Sequence, residues 1–526
     1  MRNILLSLIF VAVSYHGFTQ SFEWITGQDI DYEFNPAMSN YTVACDGNGD
    51  VWFAGMDSLV EFYQQAMGNL FLKKYSSSGE LLLDNIITGS AVVTDIATDD
   101  SGFVYITGDY LNDLTFWDGT TLPFTGQFIA SFMARVSSQG QIDWVLDLDA
   151  IFPECVAKDI YIKGNRKFLA HCEGFNAYIS EFNSNGIFTG SILQTQDMLI
   201  SSICMDDAGN IYATGSCTSA GSTFGGVTFT SPFPYSMYLV KYNNNKVPVW
   251  VRFVEDVTCT LPSLNIDRDQ NVIWTGILNA ETNFDTLTLY GPSWVYDLFV
   301  TKFNPDGHVL WGVEVPQVIT GDATVAMNES VEILPDNSIA VGGMVRGIVD
   351  WGNGVVSNAG GIYEQMLILD VNGSGQPDWS ITGGGVGFVN AMAMTGDGEG
   401  NLYYAGMGHD TITFDTLSYT MDSFYFPFLL KYSSGITTGI SAQNSPFNNV
   451  SFYPNPSQDE VHIKLDGIIE KVDFYNFSGQ VVLVSQNTDA VDISHLQPGI
   501  YHVIVTFRNN GGAKDQVCTG KVIVSR

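Results

Sequence analysis

The sequence predicts an all-β protein in two parts: a ring of repeated four-stranded sheets, and a small antiparallel β-sandwich behind it. Three observations predict this. The 526-residue chain is rich in residues of strands and tight turns, with 24 Tyr, 34 Phe and 53 Gly. A turn-and-strand pattern recurs seven times along it. Residues 451–526 then alternate apolar and polar with a different turn chemistry.

Charge narrows the function. The chain has 21 Lys+Arg against 56 Asp+Glu, a formal net charge of −35. Only six basic and eight acidic residues lie in 451–526, so the excess sits on the repeats. Binding to nucleic-acid phosphates needs clustered Lys and Arg, and docking on an anionic membrane needs a basic face. Both are excluded. With 45% hydrophobic and 13% aromatic residues, global disorder is excluded too.

The N-terminus has the layout of an export signal: Arg2, then an apolar run over 4–13 that is too short to span a bilayer. Gly17 and Thr19 suit the −3 and −1 positions, which puts cleavage between Thr19 and Gln20. No later stretch is apolar and long enough to span a membrane. Seven cysteines (Cys45, Cys155, Cys172, Cys204, Cys217, Cys259, Cys518) are odd in number and show no CxxC spacing. They resemble neither a disulfide framework nor a zinc site, and buried reduced thiols are expected.

The repeat starts with an acidic turn. DGNGDVWFAG from Asp46, DDSGFVYITG from Asp99, DDAGNIYATG from Asp206, DRDQNVIWTG from Asp267 and DGEGNLYYAG from Asp397 are good copies. LPDNSIAVGG from Leu334 keeps the run without the Asp. KGNRKFLAHC from Lys163 is worn, with Cys172 in place of the closing Gly. A second pattern follows each copy: a strand ending at Tyr75, Val136, Phe182, Tyr242, Phe303, Val371 or Tyr432, a turn, and a further strand. That further strand carries Leu82, Trp144, Phe188, Trp250, Trp311 or Trp379, and the seventh copy lacks it. EWITG from Glu23 matches the missing strand. Two hairpins per copy make four strands, and seven such units arranged radially make a β-propeller. The strand at 23–27 would then complete the seventh unit beside the strand ending at Tyr432, with Trp24 buried at the seam. The propeller is expected over 20–436, a linker over 437–450 and the second module over 451–526.

MDDAGNIYATG from Met205 resembles the SBBP family of seven-bladed propeller repeats, over about 46–435. That resemblance implies the fold and no single activity. The module after 451 resembles the C-terminal sorting domain of type IX secretion. It carries Pro454-Asn455-Pro456, Asn476 with Gly479 and Gln480, Leu496 with Gly499 and Tyr501, and Lys521. This implies recognition by an outer-membrane translocon, removal of the domain, and attachment to surface lipopolysaccharide. The chain is expected outside a Gram-negative cell or on its surface.

Motifs of catalysis are missing. Three histidines, His171, His308 and His409, remain in the repeats, none in HExxH spacing, and there is no GxSxG elbow or phosphate loop. A carboxylate pair cannot be sought by spacing, because such pairs assemble in space. The turn acids allow two readings. Asp46, Asn48 and Asp50, and likewise Asp267, Asp269 and Asn271, place oxygens at i, i+2 and i+4, as calcium loops do. Asp, Asn and Gly are equally the residues of a tight hairpin turn, and this reading is favoured. Otherwise no cofactor is expected. Asp57-Ser58-Leu59, Asp285-Thr286-Leu287, Asp410-Thr411-Ile412 and Asp415-Thr416-Leu417 resemble the O-glycosylation sequon of bacteria with this secretion route. Phe116, Trp117, Phe224, Phe284, Trp294, Trp351, Phe414, Phe424 and Tyr425 crowd the long arms after the repeat Gly. They are expected to pack on their own units rather than meet a ligand.

The function expected is a secreted or surface-attached binding module for a glycan or a protein. An extracellular carbohydrate-active enzyme and a structural surface-layer component are the alternatives. Carboxylates or a metal in the central channel would favour the enzyme, and a flat face with no pocket the structural component.

Overall fold

The computed structural model describes residues 20–435 and 451–525, except 29, 31–39, 64, 127, 196–198, 219–220, 256–261, 279–280, 292–296, 317–320, 361–362, 386, 456, 466–467, 477–480, 487 and 509–515. The signal segment and the whole linker therefore lie outside the described residues, as do Thr19, Cys259 and Trp294. The chain divides into two compact units, Met1–Thr438 and Gly439–Arg526. Both are β-structures with antiparallel ladders, consistent with a propeller in the first.

In the first unit groups of four antiparallel strands recur, some of them joined into sheets of nine and ten strands. The fourth group is typical: Leu199–Met205, Ile211–Thr218, Tyr235–Tyr242 and Pro248–Glu255 lie side by side, each antiparallel to the next. The last group is assembled from both ends of the region. Asn390–Gly396, Asn401–Phe414 and Leu417–Ser433 pair in order, and Ser21–Gly27 adds the outer strand. Phe22 stands opposite Tyr432, Trp24 opposite Lys431 and Gly27 opposite Phe428.

The middle strands explain the apolar runs of the sequence. Val104–Tyr110, Val272–Leu278, Asp297–Phe303 and Gln365–Val371 are buried at every position, because each sheet is covered on both faces by its neighbours. Buried clusters join consecutive groups. Trp52 and Leu70 of the first share one with Ile106 and Phe132 of the second. Tyr41, Phe53 and Phe71 of the first share another with Tyr403, Ala405 and Leu429 of the last. Full burial of one such side chain stabilises by roughly 1.5–3 kcal/mol, so these joints dominate the stability of the region.

The repeat's turn and Gly have separate causes. Asp46 Oδ1 accepts from the amides of Asn48 (2.9 Å) and Asp50 (3.2 Å), while Gly49 turns the chain at φ 79°. Gln270 takes the same left-handed place at φ 66° after Asp267. The closing Gly sits opposite a β-bulge in the innermost strand. At Gly215 an added Cβ would stand 2.0 Å from the Leu199 carbonyl oxygen.

Two expectations need correction. Trp24 is half-buried, not buried, and Phe22 beside it fills the core instead. In the first group Leu82 is 44% exposed, and Leu83 takes the place that Trp144 has in the second. The same ladder slip follows the turn in both groups, and Leu83 lies eight residues after Tyr75 as Trp144 lies eight after Val136.

The second unit has two antiparallel sheets. Ser451–Tyr453, Glu460–Lys464 and Ala490–Asp492 form one; Val481–Gln486, Ile468–Tyr475, Gly499–Arg508 and Gln516–Val524 form the other. Val461, Val472, Phe474, Val503 and Val505 lie in its core.

Candidate functional site

The seven innermost strands of the first unit are Thr42–Cys45, 91–98, Cys155–Lys163, Leu199–Met205, Ser263–Ile266, Val331–Ile333 and Asn390–Gly396. Each touches the next, and the seventh touches the first. At this inner edge the strands diverge and share no ladder, so side chains bridge them. One register position, four residues before the turn residue, reads Thr42, Asp95, Asp159, Ser202, Ser263, Ser330, Ala393 around the series. Asp95 Oδ2 accepts from the Ile160 amide at 2.9 Å, Asp159 Oδ2 from the Ile203 amide at 2.6 Å, and Ser202 Oγ from the Leu264 amide at 3.2 Å. Thr42 Oγ1 donates to Asp95 Oδ1 at 3.1 Å.

Glu329 joins the two aspartates. A carboxylate oxygen from each of Asp95, Asp159 and Glu329 lies within 4.8 Å of the others. Burial raises the pKa of all three, and mutual repulsion adds to the rise at Asp159 and Glu329. Between the two aspartates, the contact raises Asp159 further and lowers Asp95, so Asp159 is the more strongly raised of the pair. Burial also pushes Glu332 up to about 7. A cavity of about 90 Å³ opens beside Asp159, Glu329 and Glu332. Three hard-oxygen ligands and a small polar cavity can hold a proton network or a single small cation. The cavity is far below the ~300 Å³ of the smallest usual ligand pockets.

Sequence reasoning missed this cluster. The one available signal was the column itself: Asp recurs four residues before the turn in the second and third copies only.

The predicted turn acids are dispersed, one per hairpin. Lys74 Nζ lies 3.0 Å from Asp46 Oδ2 and 2.9 Å from Asp50 Oδ2. Lys302 Nζ lies 2.6 Å from Asp267 Oδ2, and Arg135 pairs with Asp99 at 3.5 Å. Asp267 Oδ1 accepts from the amides of Asp269 and Asn271. Asp206 Oδ1 accepts from Asn210, and Asp397 Oδ1 from Glu399 and Asn401. In both suggested calcium loops a lysine ammonium from the third strand thus faces the carboxylates.

Phe116, Phe224, Phe284, Trp351 and Phe414 of the long arms are buried. Trp117 donates through Nε1 to the Gly140 carbonyl at 2.9 Å. Of the sequon-like hydroxyls, Thr286 and Thr416 are exposed at two-residue hairpin tips, next to Asp285 and Asp415 with φ 55° and 53°. Ser58 accepts from Asn69, and Thr411 pairs with Thr420. Cys155, Cys172, Cys204 and Cys217 are buried, and burial holds the Cys155 and Cys204 thiols well above their usual range.

In the second unit, Asn455 Oδ1 accepts from the Ile523 amide at 2.8 Å, tying the Pro-Asn-Pro segment to the last strand. Leu496 and Tyr501 are buried, and the Tyr501 hydroxyl donates to the Gln497 carbonyl at 2.8 Å. Gly499 pairs with Val524. Pro456 and Gly479 lie outside the described residues, as does the side chain of Lys521.

No helix among the described residues is long and apolar enough to cross a membrane. No curated protein matches the chain. Among solved structures, prolyl oligopeptidase B from Galerina marginata is similar at 9% identity and a TM-score of 0.36, covering 89% of this chain and 55% of that one. The chain thus spans about half the length of that peptidase. The WD40 domain of SCAP from fission yeast is similar at 8% identity and a TM-score of 0.34, covering 79% of this chain and 99% of that one. A family model, the secretion system C-terminal sorting domain, matches residues 451–524. Residues 451–524 are therefore a type IX sorting tail, which implies interaction with that secretion machinery and marks proteins sent to the extracellular space or the outer surface of Gram-negative bacteria, where this protein is delivered.

Proposed function

We propose that residues 20–435 form a closed seven-bladed propeller of the SBBP repeat type, and that this propeller is a non-enzymatic binding module exported for a glycan or protein ligand. One observation carries the reading: the repeat's polar chemistry is committed to the frame. The turn acids hold backbone amides and third-strand cations, and the inner acids hold amides of neighbouring strands. The inner carboxylates were the feature that would favour an enzyme. Asp95 and Asp159 are tied to backbone amides, and the adjoining cavity of about 90 Å³ has no room for a sugar ring. The turn loops act as structural turns on this reading, with no calcium required. Residues 1–19 act as a removable signal, and the sorting tail leads to attachment on surface lipopolysaccharide.

The secreted full chain, labelled and applied to glycan and surface-protein arrays, tests this. Saturable capture by one class of ligand is expected. Cleavage of a carbohydrate by the purified chain would replace the reading with an enzyme. Ordered self-assembly with no capture would replace it with a structural surface component. If 451–526 is the sorting address, its deletion leaves a folded chain in the periplasm; surface display of that truncated chain would contradict the assignment.

A further inference from the structure

Among the described residues of the repeat region, six aromatic side chains stand among the exposed large apolar residues: Phe128, Phe175, Phe188, Tyr235, Tyr290 and Tyr363. Five of the six occupy one place in the repeat, the approach to the third strand. Phe128 stands two residues before Ala130–Val136, Phe175 one residue before Asn176–Phe182, and Tyr235 opens Tyr235–Tyr242. Tyr290 follows Leu287–Leu289 on the way to Asp297–Phe303, and Tyr363 precedes Gln365–Val371 by two. The second to sixth units thus carry one each, at 64, 76, 62, 51 and 50% exposure in order.

The long arms separate their aromatics into two kinds. In the second, fourth and sixth units a buried anchor (Phe116, Phe224, Trp351) is followed eleven or twelve residues later by the exposed ring (Phe128, Tyr235, Tyr363). In the fifth, Phe284 is buried and Tyr290 exposed. Packing of the arm accounts for the first kind and not for the second. Third strands run alike in every unit. On the propeller reading above, on which this inference rests, all five rings therefore lie on the face opposite the acidic hairpin turns. Beside the second unit's arm an open depression of about 610 Å³ is lined by Asn112, Asp113, Thr115 and Phe124.

We propose that this face binds a neutral polysaccharide, with Phe128, Phe175, Tyr235, Tyr290 and Tyr363 each stacking on the C–H face of a sugar ring. Single flat rings repeated at the spacing of the units suit a polymer that itself repeats and offers small apolar faces. A protein partner would instead call for one merged apolar patch. The region carries nearly all of the chain's net −35 charge, which repels a polyanion. Amide, carboxylate and hydroxyl groups such as those of Asn112, Asp113 and Thr115 supply partners for sugar hydroxyls.

The test is native affinity electrophoresis of the secreted full chain in gels holding laminarin, dextran or galactomannan, with hyaluronan as the polyanion and polylysine as a basic chain. Retardation by at least one neutral polymer is expected, and none by hyaluronan. Phe175→Ala or Tyr235→Ala should weaken it roughly two- to tenfold, the range of a single aromatic contact, and the five-fold variant should abolish it. Phe188→Ala, at an exposed ring away from this face, should not change it. Circular dichroism confirms that each variant is folded. No retardation by any neutral polymer, retardation that survives the five-fold variant, or retardation by polylysine alone would overturn the proposal. Capture by a surface protein on the arrays, without retardation by a polysaccharide, would sink this inference and leave the broader binding reading standing.

Discussion

The joint between the fourth and fifth units and the joint between the seventh and first are built from the same parts. In the middle of the chain, Trp250 Nε1 donates to the Pro305 carbonyl at 3.2 Å, and Lys241 Nζ donates to the same oxygen at 2.7 Å. The indole lies over Gly307, where an added Cβ would be 2.7 Å from the ring. At the seam, Trp24 Nε1 and Lys431 Nζ both donate to the Ser77 carbonyl, at 3.1 and 3.0 Å, and Trp24 lies over Gly79. The difference is connectivity and depth. Trp250 and Lys241 belong to one hairpin, while Trp24 and Lys431 come from opposite ends of the region. Trp250 is buried and Trp24 half-buried. The interlock therefore does not depend on covalent continuity: the same contacts form whether or not the Trp and the Lys share a hairpin. In the unit before the seam, Trp379 Nε1 has no hydrogen-bond partner among the described residues; its ring packs on Tyr432 at 5.6 Å.

The largest way to break the comparison is deletion of 20–28. It removes the outer strand with Phe22 and Trp24, and it exposes the edge of Leu417–Ser433. The whole repeat region should lose its cooperative thermal transition, or shift it by tens of degrees. Trp250→Ala comes next, at about 3–5 kcal/mol by denaturant unfolding, the usual cost of a truncated core Trp. Trp24→Ala should cost less, about 2 kcal/mol, because the ring is only half-buried. A zero cost would separate the two joints.

The hydrogen bond is isolated by Phe. Trp250→Phe and Trp24→Phe should each cost about 1 kcal/mol more than Trp379→Phe, whose indole N–H has no partner among the described residues.

The inner acids give the smallest effect and a defined sign. A carboxyl whose folded pKa is raised stabilises the fold in its protonated form. That contribution is full below the unfolded value, about pH 4, and is lost as pH rises through the folded one. Burial raises Glu332 to about 7, and Asp159 well above its ordinary range. The melting temperature should therefore fall from pH 5 to pH 8, and Asp159→Asn should flatten that slope. A melting temperature that rises over this interval would refute the raised carboxyl pKa values.

What the sequence revealed and what it hid follow from range. The Asp turn is local: its amides lie two and four residues on, so five copies could be read directly and the two at Lys163 and Leu334 aligned to them. The strand at 21–27 was legible as the piece missing after Tyr432. The turn acids were ambiguous because a calcium loop and an Asx turn share the i, i+2, i+4 pattern. What distinguishes them is Lys74 or Lys302, roughly thirty residues downstream in the third strand. Asp95, Asp159 and Glu329 were hidden because only the curvature of the array brings residue 329 to residue 95. Leu83 was missed by one position because the Trp that marks this place in the second, fourth, fifth and sixth copies is a Leu here, inside the run Leu81-Leu82-Leu83.

Amide hydrogen exchange at the two joints measures closure most directly. If the seam is a joint like the others, the amides of 429–432 exchange only through global unfolding, with the same free energy as those of 239–242 in the fourth unit. Fast exchange at 429–432 with slow exchange at 239–242 would show that the outer strand from the N-terminus frays, and would contradict a closed ring.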